Sequence, residues 1–276
     1  MIWKGPSSTW CVIVQRGQIK LGTLIKQELY KLTHRRGTWF GLFFILIIQM
    51  GMATLVKLNP SFIPAKEMVM SSFLGTSMTL FVVIAAVASI VSMEFQYGTV
   101  KQLLYRKYYR SQVFVSKIIV VILHTLALYL VQFAMTLLLK LALFPKVDLG
   151  ATYSGGHSLL RMMVTYQGGE ILSAFLLLSF VLLLSTLFKT NAAAIASGYI
   201  GYVLVSMAST FLLLAIQKWE WVKWNPFTML LLPSQLMAPN YADATMLSNP
   251  ELIAGSLVYT VIFSGIAYLS FRKRSV

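Results

Sequence analysis

Residues 68–93 read MVMSSFLGTSMTLFVVIAAVASIVSM, 26 positions without an Asp, Glu, Lys or Arg. About 20 apolar residues let a helix cross the hydrocarbon core of a bilayer, whereas a soluble helix keeps a charged or polar face. Five further charge-free windows are Gly37–Val56, Ile118–Leu139, Ile171–Phe188, Thr190–Gln217 and Leu252–Phe271, of 20, 22, 18, 28 and 20 residues. The expected fold is an all-α integral membrane protein with six transmembrane helices, the fourth drawn from the shortest window.

The rest of the composition agrees. Of 276 residues, 58% are hydrophobic and 11% charged, with mean hydropathy +0.75; soluble domains carry about 25% charge. The net charge of +15 comes from 23 Lys and Arg against 8 Asp and Glu. These basic residues cluster at the ends of apolar runs, which points to membrane lipid rather than nucleic acid. Cys11 is alone, so no internal disulfide or zinc motif is expected. Residues 1–18 read as an N-terminal arm. Residues 19–276 read as one six-span domain.

With the N-terminus inside, the inner segments hold 16 basic residues and the outer ones 7. The positive-inside rule therefore favours a cytoplasmic-membrane protein with both termini cytosolic. In the first inner segment, Leu21, Leu24, Ile25, Glu28, Leu29 and Leu32 share one helical stripe, with Lys20, Lys26 and Lys31 off it. That pattern predicts an amphipathic interfacial helix. Glu28 interrupts the stripe, so it either pairs with Lys31 or Arg35 or meets a partner. Glu94–Lys117, after the second span, mixes charges with Val100, Leu103 and Leu104, and Gly98 permits a turn.

Trp224–Ala242 is long enough to span but contains Pro226, Pro233 and Pro239, which suits an interfacial or re-entrant element. Trp219, Trp221 and Trp224 fit an aromatic belt before it. The short turn Lys189–Asn191 makes spans four and five a tight hairpin, with Asn191 placed to cap the fifth. Ala194, Ser197, Gly198 and Gly201 give small-xxx-small spacing and a candidate dimer face.

No charge lies inside the six windows, so ion-coupled transport is disfavoured. His124, the histidine within a span, has no acidic partner on its helix. It reads as hydrogen-bonded to a neighbouring helix, as do Gln49 and Gln132. No phosphate-binding loop of the Walker type occurs, and the Ser154–His157 run is a flexible turn. No catalytic, cofactor or metal site is expected. Such a chain relays a partner's energy, conducts passively, or anchors something.

Glu94-Phe95-Gln96-Tyr97-Gly98-Thr99-Val100-Lys101-Gln102-Leu103-Leu104 resembles the loop after the second span in type-2 exporter permeases of the ATP-binding cassette superfamily. That loop has an acidic residue a turn before Gly-Thr, then a basic residue, paired leucines, and a later arginine and lysine, matched here by Arg110 and Lys117. Tyr108 and Tyr109 stand where the family often has Pro and Ser. The six-span plan and the broken segment before the last span are similar too. The resemblance covers nearly the whole chain from residue 19. Within the family, the small permeases of bacitracin and lantibiotic self-protection exporters look closest, on size and on Lys26–Leu32.

The resemblance implies a permease subunit that pairs with a second, identical or homologous permease chain. A separate cytosolic ATPase subunit would bind ATP and Mg, and this chain would not itself be an enzyme. Glu94, Gly98, Thr99, Lys101, Leu103, Leu104, Arg106 and Arg110 would form the cytosolic coupling helix between spans two and three. Spans two and five would line a pathway, with Thr76, Ser77, Thr79, Ser197, Tyr199, Tyr202, Ser206 and Ser209 as candidates. An amphipathic, lipid-like or peptide cargo would suit that lining. The alternative is a membrane scaffold or sensor that docks a cytosolic partner without moving cargo.

Overall fold

The computed structural model describes residues 21–61, 63–98, 109–154, 156–188, 190–238 and 240–273. It is an all-α membrane protein. Six helices among these residues are long and apolar enough to span: Arg36–Leu58, Ser72–Gln96, Arg110–Leu143, Leu159–Leu187, Asn191–Ala208 and Asn249–Lys273. In chain order the helices are α1 (Leu21–Thr33), α2 (Arg36–Leu58), α3 (Ala65–Met70), α4 (Gly75–Gln96), α5 (Arg110–Leu143), α6 (Leu159–Leu187), α7 (Asn191–Lys218), α8 (Pro226–Met229), α9 (Leu232–Met237), α10 (Tyr241–Thr245) and α11 (Asn249–Lys273). A small hairpin, Thr152–Ser154 with His157–Ser158, precedes α6.

Lipid tails are as apolar as leucine, so burial alone does not drive these helices together. Close packing and polar ties do. The second and fourth spans form the centre, each with 56% of its most apolar window buried, whereas the fifth, at 11%, and the sixth, at 17%, lie outside. The main core joins Val83, Ile84 and Val87 of α4 to Leu177 and Val181 of α6 and Tyr129 of α5.

The second charge-free window is not one helix, as its continuous reading implied. After α3 the chain makes a left-handed turn at Ser72, Phe73 and Leu74, with φ of 57°, 48° and 65°. Non-glycine residues there cost about 1–2 kcal/mol each. Gln49 of α2 holds the turn, donating from Nε2 to the Ser72 carbonyl at 3.1 Å and to Thr136 Oγ1 of α5 at 3.0 Å. Phe73, fully buried, stacks on Phe144 at 5.6 Å. Gly75 leaves room beside it, because a Cβ there would run into the Gln49 amide in its present position. Gln49 Nε2 also lies 3.1 Å from the Gln132 backbone carbonyl and 3.4 Å from Gln132 Oε1, so the Gln49 side chain ties α2 to α5.

The fifth span is capped by Thr190, whose hydroxyl accepts from Ala193 N at 3.3 Å. Asn191, expected as the cap, instead receives Ser92 Oγ at 2.9 Å and donates its backbone N–H to Gln96 Oε1 at 2.8 Å. Both bonds fasten the start of α7 to the end of α4. The small-residue face of α7 is likewise used inside the chain. Ala194 is buried, and a Cβ on Gly198 would lie 2.9 Å from Ile84 and 3.3 Å from Val181. At Gly201 it would lie 3.5 Å from Phe180. Ala194, Gly198 and Gly201 therefore seat α7 on α4 and α6 within the chain.

The proline-rich window is neither a span nor a loose loop. It folds into α8, α9 and α10, with Met229 and Leu232 buried beside Leu176 of α6 and Leu252 of α11. Gln235 holds its end, donating to the Leu247 carbonyl and Asn249 Oδ1 at 2.9 Å each while accepting from Thr245 Oγ1 at 2.7 Å. Trp219, Trp221 and Trp224 stay exposed.

Candidate functional site

α1 turns Leu24, Glu28 and Leu32, one residue per turn, into the protein, and its main neighbour is α5. The interfacial stripe is thus largely used for packing; Ile25 and Leu29 are half-buried and Leu21 is exposed. At Glu28 the row meets Lys117 of α5 and Glu94 of α4. Lys117 Nζ lies 3.1 Å from Glu28 Oε2 and 2.8 Å from Glu94 Oε1, and donates to the Ile90 carbonyl at 3.1 Å. Lys31 Nζ lies 2.6 Å from Glu28 Oε1 and 3.4 Å from Glu94 Oε1. Lys117 is fully buried, Glu28 is 5% exposed and Glu94 8%.

Two carboxylates and two ammonium groups cancel, which is the condition under which charge is tolerated away from water. Burial pushes the Glu28 carboxyl up, but Lys117 and Lys31 together outweigh it and hold it below its ordinary value. Burial pulls the Lys31 ammonium down, but Glu28 and Glu94 outweigh that and hold it above its ordinary value. A cavity of about 180 Å³ lies against the cluster, between α1 and α4.

The cluster sits where α4 hands over to the segment before α5. α4 ends at Gln96, and Gly98 follows with φ of +66°, a left-handed position that favours glycine. Thr99, Lys101, Leu103, Leu104 and Arg106 lie outside the described residues. Arg110 opens α5 and donates to the Arg272 carbonyl at the end of α11, 2.5 Å away, where a cation suits the last helical turn. Two expectations change here. Glu28 pairs with Lys117 as well as Lys31, and Glu94 faces the protein interior, so its carboxylate is not a surface contact for a docked partner.

The candidate pathway residues separate. Thr76 and Thr79 are buried, their hydroxyls without partners, while Ser77 faces outward. Ser197 donates to its own helix at Ala194. Tyr199 donates to the Phe81 carbonyl of α4 at 2.9 Å and borders a cavity of about 350 Å³ with Ser89 and His124. Tyr202 and Ser206 line a different cavity, of about 260 Å³, together with Glu170 of α6. The Ser209 side chain lies outside the described residues. Among the described residues, no group of three or more His, Cys, Asp or Glu is placed to hold a metal.

Sequence reasoning places Lys117 in the loop after the second span and does not single out Glu170, but helices α5 and α6 begin earlier, at Arg110 and Leu159, and take both residues in. The available signals were Glu28 in an apolar stripe, which needed a buried cation, and the shortness of the fourth window.

A six-helix bundle with a charge-neutral ion cluster at one end defines a multi-pass membrane protein. The chain belongs to the family described as "Protein of unknown function (DUF2705)", which matches residues 42–276. It is similar to "Uncharacterized protein YhcI" of Bacillus subtilis (strain 168), 30% identical over 210 residues, 71% of this chain and 64% of that relative. The chain thus spans less than two thirds of that relative's length. It is also 28% identical over 254 residues to "Uncharacterized membrane protein YdbK" of the same organism, 89% of this chain and 99% of that one.

Proposed function

We propose that this chain is the permease subunit of an ATP-driven exporter, with N- and C-termini cytosolic in the cytoplasmic membrane. A separate ATPase subunit of the ATP-binding cassette type supplies the energy, and a second permease chain completes the pathway. The observation that carries this reading is the construction around residues 97–109. The ion cluster locks α1, α4 and α5 together at that end, and Ser92, Gln96 and Asn191 lock α4 to α7. A push on the segment between α4 and α5 therefore reaches spans two, three and five through short contacts, buried at Lys117 and nearer the surface at Asn191. Such rigidity is what transmission of force from a docked ATPase requires.

Glu94 acts in this scheme from within, as a positioning residue that fixes the end of α4. Gly98, Arg110 and the residues between them carry the docking surface. The resemblance of Glu94–Leu104 to permease coupling loops supports the same reading.

The test is copurification followed by reconstitution. Tagged chain isolated in mild detergent should bring down an ATPase subunit, and cargo should stimulate hydrolysis in the reconstituted complex. Gly98→Leu should insert normally but lose both. Copurification of a partner that no cargo stimulates would favour the scaffold reading. Wild-type stimulated hydrolysis in Gly98→Leu would remove the loop from the mechanism.

A further inference from the structure

Glu170 stands in the fourth turn of α6. It is 17 residues from the helix's end at Leu187, about 26 Å at 1.5 Å per residue. A hydrocarbon core of ~30 Å measured from that end includes it, near the far margin. Ionisable groups within a span face the bundle interior or a cavity and mark functional sites. Among the described residues no lysine or arginine makes an ion pair with it; the four ion pairs all lie in the cluster at α1. Tyr166, one turn earlier on the same helix, is the side chain that meets its carboxyl.

The carboxyl opens into the cavity of about 260 Å³ between α6, α7 and the α8–α9 segment. Ser173, one turn on, is 8% exposed, and its hydroxyl has no partner among the described residues. Ser206 and Ser234 add hydroxyls, and the rings of Tyr202 and Phe227 form part of the wall. A bare Ca²⁺ or Mg²⁺ needs six or more converging oxygens, which one carboxylate and scattered hydroxyls in so wide a space do not supply. An organic ammonium needs less. It takes one carboxylate, a few hydroxyl acceptors and aromatic faces that attract cations, with apolar walls for the carbon skeleton.

We propose that this cavity is a binding site for the primary ammonium head group of an amphipathic organic cation, with Glu170 as its counter-ion. The bound ammonium supplies the charge the carboxylate lacks, and Ser173 accepts one of its N–H bonds. The space fits a head group and its first carbons, so the remainder of the molecule extends along α7 toward lipid. This deepens the transport reading by naming the cargo's charge and head group.

The test is equilibrium binding of radiolabelled phenethylammonium to the purified full chain in neutral detergent. Wild-type protein should bind it saturably. Neutral 2-phenylethanol and anionic phenylpropionate should fail to compete. Glu170→Gln should weaken binding at least tenfold, Ser173→Ala severalfold, and Glu170→Asp should retain most of it while eluting as a folded peak. Glu251→Gln, an exposed acid at the start of α11, should bind as wild type. Absence of saturable binding, competition by the alcohol, or Glu170→Gln within twofold of wild type would each overturn the proposal. The isotherm is read on the isolated chain, so failure to find an ATPase partner would defeat the exporter reading without touching this result.

Discussion

Replacing Lys117 by methionine removes a fully buried cation and leaves the Glu28 and Glu94 carboxylates facing each other. Lys31 is then the remaining charge partner, with a side chain 53% exposed. Removing one partner of a buried ion pair costs about 3–5 kcal/mol, because the other charge stays buried and uncompensated. Lys117 serves two carboxylates and the Ile90 carbonyl, so the upper half of that range is expected. Replacing a whole buried ion group by neutral residues of similar size is, by contrast, often near neutral. The informative experiment is therefore a cycle. Unfolding in mixed micelles of rising dodecyl sulfate fraction, followed by the fluorescence of the 6 tryptophans, reports free energy. Lys117→Met should cost about 4–5 kcal/mol in the native background but under about 1 kcal/mol in Glu28→Gln/Glu94→Gln. Equal costs in the two backgrounds, or a small cost in both, would mean the four charges do not act as a unit.

Two further outcomes are expected. The Glu28 carboxyl is held below its ordinary 4.5, so its contribution is full above that value and is lost as pH falls through the lowered folded value. The Lys31 ammonium is held above its ordinary 10.5, so its contribution is full below that value and is lost as pH rises through the raised folded value. Melting temperature should be flat between these limits and fall outside them, with a small alkaline limb because solvent screens Lys31; an acid limb unchanged by Glu28→Gln would contradict this. Gly198→Leu should lower the melting temperature of the single chain, since its Cβ alone meets Ile84 at 2.9 Å and overpacking costs about 1–3 kcal/mol. A change in oligomer size at unchanged melting temperature would restore that face to an intermolecular role.

Glu94 and Gly198 show how far a sequence reading reaches. The sequence marks Glu94 through the resemblance of its loop to permease coupling loops and Gly198 as part of a small-residue face. Their directions were misjudged. Position on a helix is set by local period, but what lies opposite depends on packing between segments far apart in the chain. Glu28 and Lys117 are 89 positions apart and Ser92 and Asn191 are 99 apart, and no spacing rule connects them. The pathway candidates illustrate the same limit, since Thr79, Tyr199 and Tyr202 look equivalent as polar residues in apolar helices. The fold puts Thr79 against other helices, Tyr199 beside His124 and Tyr202 beside Glu170.

By itself the sequence determined the solvent, the number of spans and the amphipathic face of α1. Those properties rest on the length and period of apolar runs, and a bilayer imposes both: about 20 residues to cross, and no charge left in the middle. Tertiary structure alone decided that α4 begins after a left-handed turn held by Gln49, and that Lys117 lies inside rather than on a loop. It also decided that Glu170 opens into a cavity. These rest on which polar groups find partners across helices. In lipid that choice is made by close packing and hydrogen bonds between distant segments rather than by hydrophobicity, and hydrophobicity is the property most plainly written along a membrane chain.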